Sequence, residues 1–241
     1  MKLQKLLSYV RRAVDDYKMI EEGDKIAVGI SGGKDSLTLL YAMANLRRFY
    51  PVKFELIAVT IDLGFEHFDT TKIAALCEEL EVPYYVQKTD IYEIVFNARK
   101  ESNPCSLCSK MRKGAFNDLV QSLGCNKLAY AHHLDDVIET LMLSLIYEGR
   151  LHTFSPVTLL DRMQLTVIRP MLYVKEADVI GFRNKYELPV VGKLCPNDGF
   201  SRREYVKNLI KSIEAESPGV KARMFTAITS GHIKGWDKTN E

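Results

Sequence analysis

No apolar stretch in the 241 residues approaches the length of a membrane span, which excludes an ordinary helical membrane protein. The N-terminal "MKLQKLLSYVRRAVDDYKMI" carries charges along its whole length. It reads as an amphipathic helix rather than a signal peptide, so a cytoplasmic protein with no membrane partner is expected. Cysteine is sparse and odd in number, five in all, which argues against a disulfide framework. Neither an internal repeat nor a low-complexity tract occurs. Neither sign of charge dominates, with a formal net charge of +2, so bulk charge says nothing about nucleic acid and only its local distribution can. What remains is an ordinary globular composition, 46% hydrophobic and 27% charged.

Apolar positions at helical spacing run from Leu3 to Tyr17, and Gly23 ends that helix. "KIAVGI" is short and nearly all apolar, as expected of a strand buried on both faces of a parallel sheet. A helix is predicted from Ser36 to about Phe49, a second strand over "FELIAVTID", a helix near 70–80 and a third strand over "YYVQKTD". A helical segment near 91–99 precedes the predicted loop "ESNPCSLCSK". Another helix over 109–123 leads to strand "KLAYAH" and helix "LDDVIETLMLSLIYEG". A short β segment falls within 158–173, and helices near 175–187, 203–215 and 220–230 complete the chain. This alternation predicts a doubly wound α/β fold with a mainly parallel sheet and a mostly helical C-terminal portion. The expected organisation is an N-terminal helix (1–22), a nucleotide-binding domain (23–173) and a helical C-terminal region (174–241).

In "GISGGKDS" the P-loop pattern fails, because counting from Gly29 puts Lys34 where its glycine should stand. The dinucleotide fingerprint fails too, since Ser31 occupies the second glycine position. The chemistry still favours an anion. Gly32 and Gly33 let the backbone approach closely, a helix N-terminus follows, Ser31 and Ser36 add hydroxyls and Lys34 adds a charge. Asp35 beside phosphates calls for a cation, and Mg²⁺ is expected there. The hexapeptide Ser31–Ser36 at the end of a first strand resembles the pyrophosphate loop of the N-type ATP pyrophosphatases, which cleave ATP between its α- and β-phosphates.

"NPCSLCSKMRKG" places Cys105 and Cys108 at C-x₂-C spacing, a pattern shared by zinc sites, iron–sulfur clusters and redox dithiols. No second C-x₂-C completes a Cys₄ zinc site. Cys195 is a third candidate, and three cysteines on a 4Fe–4S cluster leave one iron open to exogenous sulfide. Cys77 and Cys125 read as buried small hydrophobes. Together "DYKMIEEGDKIAVGISGGKDSLTLL", "CSLCSKMRKG", "AHHLDDVIETL" and "VIRPMLYVKEADV" resemble the tRNA 2-thiocytidine synthetase family across roughly residues 10–230. The resemblance implies ATP-dependent replacement of a cytidine C2 oxygen by sulfur in a tRNA anticodon loop. It implies a 4Fe–4S cluster on Cys105, Cys108 and Cys195, a sulfur donor such as a cysteine desulfurase or free sulfide, and a homodimer. Gly192 stands where the family often carries a further cysteine, which leaves Cys195 as the third ligand.

On this reading ATP binds Ser31, Gly32, Gly33, Lys34, Asp35 and Ser36, with Asp62 at the adenosine or the metal or serving only as a strand-end aspartate. Lys34 offsets charge on the departing pyrophosphate. Asp135 and Asp136 suit the positive end of a helix, and the resemblance places at least one of them in the active site. Arg112, four residues past Cys108, is a candidate for phosphate or the activated base. Basic residues collect around the cysteines: Arg99, Lys100, Lys110 and Lys113 on one side, Arg202, Arg203 and Lys207 on the other. They are the expected tRNA footprint. A lysidine-type ligase is a rival that has no use for three cysteines, and a non-enzymatic metal-bearing RNA module is a rival that has no use for the glycine loop.

Overall fold

The computed structural model describes residues 1–66, 68–99, 104–192, 202–231 and 233–238. Six strands form one sheet in the order β3-β2-β1-β4-β6-β5. β1 (Asp24–Gly29) pairs in parallel with β2 (Phe54–Asp62) and β4 (Lys127–Ala129). β3 (Tyr84–Lys88) extends the sheet beyond β2, and β6 (Leu165–Ile168) beyond β4. β5 (Val157–Leu160) is antiparallel to β6, so the predicted single β segment is a hairpin at the sheet edge. Ile26, Ala27 and Val28 are buried and packed on both faces, where two apolar clusters lie on opposite sides of the sheet. The uninterrupted apolar run of β1 has this cause.

The order of strand addition reverses between the parallel strands β1 and β4. In a doubly wound sheet the crevice beyond the carboxyl ends of such strands takes the ligand. Two helices start there, α2 (Lys34–Arg47) after β1 and α5 (Leu134–Glu148) after β4. At the opposite edge Lys127 Nζ meets the buried Asp24 carboxylate at 2.8 Å, and Asn126 bonds Asp24 Oδ1 and the Lys25 N–H. These contacts tie β1 to β4 at their amino ends. α1 (Leu3–Asp16) buries Leu6, Val10, Ala13 and Val14 against the α2 side, and α3 (Thr71–Glu79) joins β2 to β3.

Residues 101–103 lie outside the described residues, and from Pro104 on the segment predicted as a loop is helical. Helix α4 (Pro104–Ser122) begins there, so Cys105 and Cys108 lie in its opening turns. Proline ends most helices but is accommodated in the first turn, where its missing N–H has no helical partner anyway. The predicted helical segment near 91–99 is a wide, single-turn helix over Glu93–Ala98. The C-terminal region is helical as expected, with α6 (Glu176–Lys185), α7 (Arg202–Glu216) and α8 (Val220–Ser230). Among the described residues no helix is long and apolar enough to cross a membrane.

Candidate active site

The turn from β1 into α2 is held by its own serines. Ser36 Oγ donates to Gly33 O at 3.0 Å and accepts the Ser31 N–H at 3.2 Å, while Ser31 Oγ accepts the Gly33 N–H at 3.4 Å. Gly32 has φ +78°, a left-handed conformation that L side chains rarely adopt. A Cβ there would come within 3.0 Å of Val191 Cγ2. Val191 is itself pinned, its N–H bonding Gly32 O at 3.0 Å. The loop is therefore preformed before any anion arrives.

Lys34 Nζ lies 3.0 Å from Asp35 Oδ2 and 3.3 Å from Glu176 Oε1. Burial works against its charge, but the two carboxylates outweigh burial and hold its pKa above the ordinary lysine value. Asp35 Oδ1 is buried and has no hydrogen-bond partner among the described residues. His133 Nε2 faces it at 3.6 Å. His133 caps α5. Its Nδ1 accepts the Asp136 N–H at 3.3 Å and its own N–H donates to Asp136 Oδ2 at 2.9 Å. An accepting Nδ1 leaves the proton on Nε2, the nitrogen that faces Asp35.

Asp135 is almost fully buried, with Lys221 Nζ 2.7 Å from Oδ1 and the Glu176 N–H 2.7 Å from Oδ2. Burial alone would raise its pKa; those two donors overcome it and keep the carboxylate ionised. Glu176 Oε1 also takes Lys207 Nζ at 2.7 Å. Arg203 reaches Asp136 at 3.6 Å and Glu139 at 3.2 Å. Burial and the Asp136 charge push Glu139 up nonetheless. Glu176 of α6 thus reaches the anion loop through charge, and α7 and α8 are tied to Glu176 and to the carboxylates of α5. Sequence reasoning missed Glu176, Glu139 and Lys221. Glu176 stands at the first position of its helix, where acids are favoured, but nothing local to it points at Lys34.

Phe116 of α4 lies over the end of β1. A Cβ on Gly29 would meet Phe116 Cζ at 3.2 Å and Tyr130 Cε1 at 3.7 Å. Cys108 precedes Phe116 by eight residues, roughly 12 Å of helix at ~1.5 Å per residue. At its other end α4 runs into Cys125 and Asn126, beside the amino end of β1. The cysteine end of α4 therefore stands above the carboxyl edge, where the anion loop is. Cys105 is exposed and Cys108 half-buried, three residues apart on one helix face and near a positive helix end that favours negative charge. Cys77 and Cys125 are buried, and burial pushes both thiols up to about 11. The two pairs divide as the sequence predicted, and the accessible pair has the chemistry of metal ligands. Cys195 and Lys100 lie outside the described residues.

Arg112 is exposed one turn beyond Cys108. Burial raises the Tyr130 phenol, and the Arg169 and Arg112 charges partly offset it. His132 is stacked on Phe154 and accepts from Arg169 Nε at 3.1 Å; burial and the Arg169 charge lower its pKa to about 4, so it is neutral. Asp62 Oδ1 accepts the Gly64 N–H at 2.9 Å, closing a turn at the end of β2. Arg99, Lys110, Lys113 and Arg202 are exposed, whereas Arg203 and Lys207 are engaged by carboxylates. Among the described residues no group of three His, Cys, Asp or Glu side chains is arranged to hold a metal ion.

A switch-point sheet carrying a preformed Ser-Gly-Gly-Lys-Asp-Ser turn defines a PP-loop protein, and a family profile described as a PP-loop domain matches residues 4–210. Among curated relatives, a tRNA-cytidine(32) 2-sulfurtransferase from Geobacter sulfurreducens is 42% identical over 95% of this chain and 90% of its own length. Another from Geobacter metallireducens is 43% identical over 94% and 90%. The chain belongs to the tRNA-cytidine(32) 2-sulfurtransferase family of PP-loop proteins. In fold it is similar to the U34-tRNA thiolase NcsA from Methanococcus maripaludis with its [4Fe-4S] cluster, with a TM-score of 0.76 and 24% identity over 97% of this chain and 80% of that one. The NH3-dependent NAD synthetase from Campylobacter jejuni shares the architecture at a TM-score of 0.52 and 13% identity over 100% and 98%.

Proposed function

We propose that the protein thiolates tRNA at the expense of ATP, adenylating the C2 oxygen of a cytidine in the anticodon loop and replacing it with sulfur. The observation that supports this reading most is Phe116 against Gly29 at the end of β1, on the same helix whose amino end carries the accessible Cys105–Cys108 turn. A ligase that joins an amine has no use for that arrangement.

The β- and γ-phosphates of ATP lie on the N–H groups and hydroxyls of Ser31, Gly32, Gly33 and Ser36. Lys34 shares its ammonium between Glu176 and the departing pyrophosphate. The orphaned Asp35 Oδ1 suits a Mg²⁺ that takes its remaining ligands from phosphate and water, the usual way Mg²⁺ is held beside nucleotides. Asp62 marks the adenosine side of the crevice. The cytidine oxygen bonds to the α-phosphorus as the bond to pyrophosphate breaks. Sulfur then bonds to C2, and the C2–oxygen bond breaks with AMP as leaving group. Asp136, half-buried at the mouth and held by His133 and Arg203, is the carboxylate placed for proton transfer, while Asp135 orients α6 from beneath. Arg112 is placed for charge on the activated base. Cys105, Cys108 and Cys195 would hold a 4Fe–4S cluster, whose one iron without a protein ligand would take sulfide from an exogenous donor for delivery to C2. Arg99, Lys100, Lys110 and Lys113 on one side, and Arg202, Arg203 and Lys207 on the other, face the tRNA backbone.

The test is anaerobic purification with iron and zinc quantified, followed by comparison of tRNA thionucleosides with and without the gene. Iron in the protein and loss of 2-thiocytidine from tRNA are expected. Stoichiometric zinc without iron after anaerobic reconstitution, or an unchanged thionucleoside profile, overturns the reading.

A further inference from the structure

Beyond the crevice, the surface where α5 ends against α7 gathers exposed aromatic rings around one arginine. Arg202 opens α7 and lays its guanidinium 4.8 Å from the centre of the Tyr147 ring. Among the described residues it has no carboxylate partner, whereas its neighbour Arg203 is engaged by Asp136 and Glu139. A cation at the first position of a helix meets the positive end of the dipole, so the Tyr147 ring offsets an otherwise unfavourable place and leaves the charge available to an anion. Tyr205, one turn further along the same face of α7, is 60% exposed, and Tyr147 is 40% exposed. Leu151, 72% exposed, lies just past the end of α5.

We propose that Tyr147, Arg202 and Tyr205 form a stacking platform for unpaired bases of the RNA substrate next to the target nucleotide. Exposed aromatic rings beside an uncompensated guanidinium are what single-stranded RNA recognition requires, because every base offers a π face and every nucleotide a negative charge. A purely apolar protein partner would leave the Arg202 charge buried without a counterion. The position fits as well. Asp136 and Tyr147 are eleven residues apart on one helix, about 16 Å at ~1.5 Å per residue, a span that a few nucleotides of an anticodon loop cover. The proposal rests on the tRNA reading and deepens it, assigning the flanking bases to α5 and α7.

The experiment measures binding of unmodified tRNA by fluorescence anisotropy at two salt concentrations, together with KM for tRNA in the thiolation assay and ATP affinity without tRNA. Tyr147→Ala and Tyr205→Ala are each expected to weaken tRNA binding roughly tenfold, the usual scale of one base-stacking contact. ATP affinity stays unchanged, and Tyr205→Phe, which keeps the ring, binds as wild type. Arg202→Gln weakens binding and lowers its salt dependence. Tyr205→Ala guards against misfolding, since that ring is exposed. Alanine variants that bind tRNA as wild type overturn the proposal, as do variants that change sedimentation while tRNA affinity holds, which would give the patch to a protein partner. A wild-type enzyme that makes no thionucleoside fails the tRNA reading itself, whatever these variants do.

Discussion

Gly32→Ala separates two costs that the structure assigns to one methyl group. The first is conformational. Residue 32 sits at φ +78°, and an L side chain in the left-handed region costs about 1–2 kcal/mol. The second is steric. The new Cβ would stand 3.0 Å from Val191 Cγ2 and 3.1 Å from Val191 Cβ. Valine is stiff at χ1 and its backbone is tied to Gly32 O, so it cannot turn away. Overpacking of this kind costs about 1–3 kcal/mol. Together they predict a loss of a few kcal/mol and a fall in Tm on the order of 10 °C for a chain of this size. They also predict a raised ATP dissociation constant, because the Gly32 and Gly33 N–H groups move with the strain. Val191→Ala added to Gly32→Ala removes the contact at Cγ2 and leaves both the one at Cβ and the conformational part, so the double variant recovers some, but less than half, of the lost Tm. The assays are thermal unfolding and ATP titration on the wild type, both single variants and the double variant. The reasoning is refuted if Gly32→Ala unfolds and binds ATP as wild type. It is refuted equally if the two substitutions add, since residues in contact must couple.

The neutral His132 predicts a pH slope. Its folded pKa of about 4 lies below the ordinary 6.5, so between those values the unfolded chain binds more protons and stability falls as pH falls. The loss approaches ~3 kcal/mol at ~1.36 kcal/mol per pH unit, and His132→Asn should flatten the slope in urea unfolding between pH 7 and 4. Cys105→Ala should lose iron and thiolation, measured anaerobically, whereas Cys77→Ala should keep its iron and lose only stability, through the cavity it leaves. Trp236 is 1% exposed, with its ring edge-on to Tyr17 and Phe225 at 6.0 and 5.8 Å. Trp236→Ala should therefore destabilise by about 3 kcal/mol by thermal unfolding without changing ATP affinity, because the crevice lies elsewhere.

What could be read from the chain alone was whatever depends on neighbours in sequence. β2 spans the predicted Phe54–Asp62, and the Ser31–Ser36 turn follows β1 as expected, because burial on both faces and a glycine turn leave a local mark. The division of Cys105 and Cys108 from Cys77 and Cys125 was legible for the same reason. The start of α4 was not, since Pro104 looks the same before a loop as in a first helical turn. β5 and β6 are four residues each, too short to show a period.

The ion pairs of the crevice had no sequence signal at all. Lys207 meets Glu176 across 31 residues and Lys221 meets Asp135 across 86. A charged residue on a helix carries no mark of its partner, because Coulomb attraction acts through space and the chain records only order. The sequence alone determined the class of fold, the anion loop and which of the two described cysteine pairs is buried. The tertiary structure decided how Lys34 is restrained, that Asp135 is buried against α6 and α8 while Asp136 is not, and that α4 packs Phe116 against the end of β1. Each of those depends on how helices far apart in the chain pack over one sheet edge.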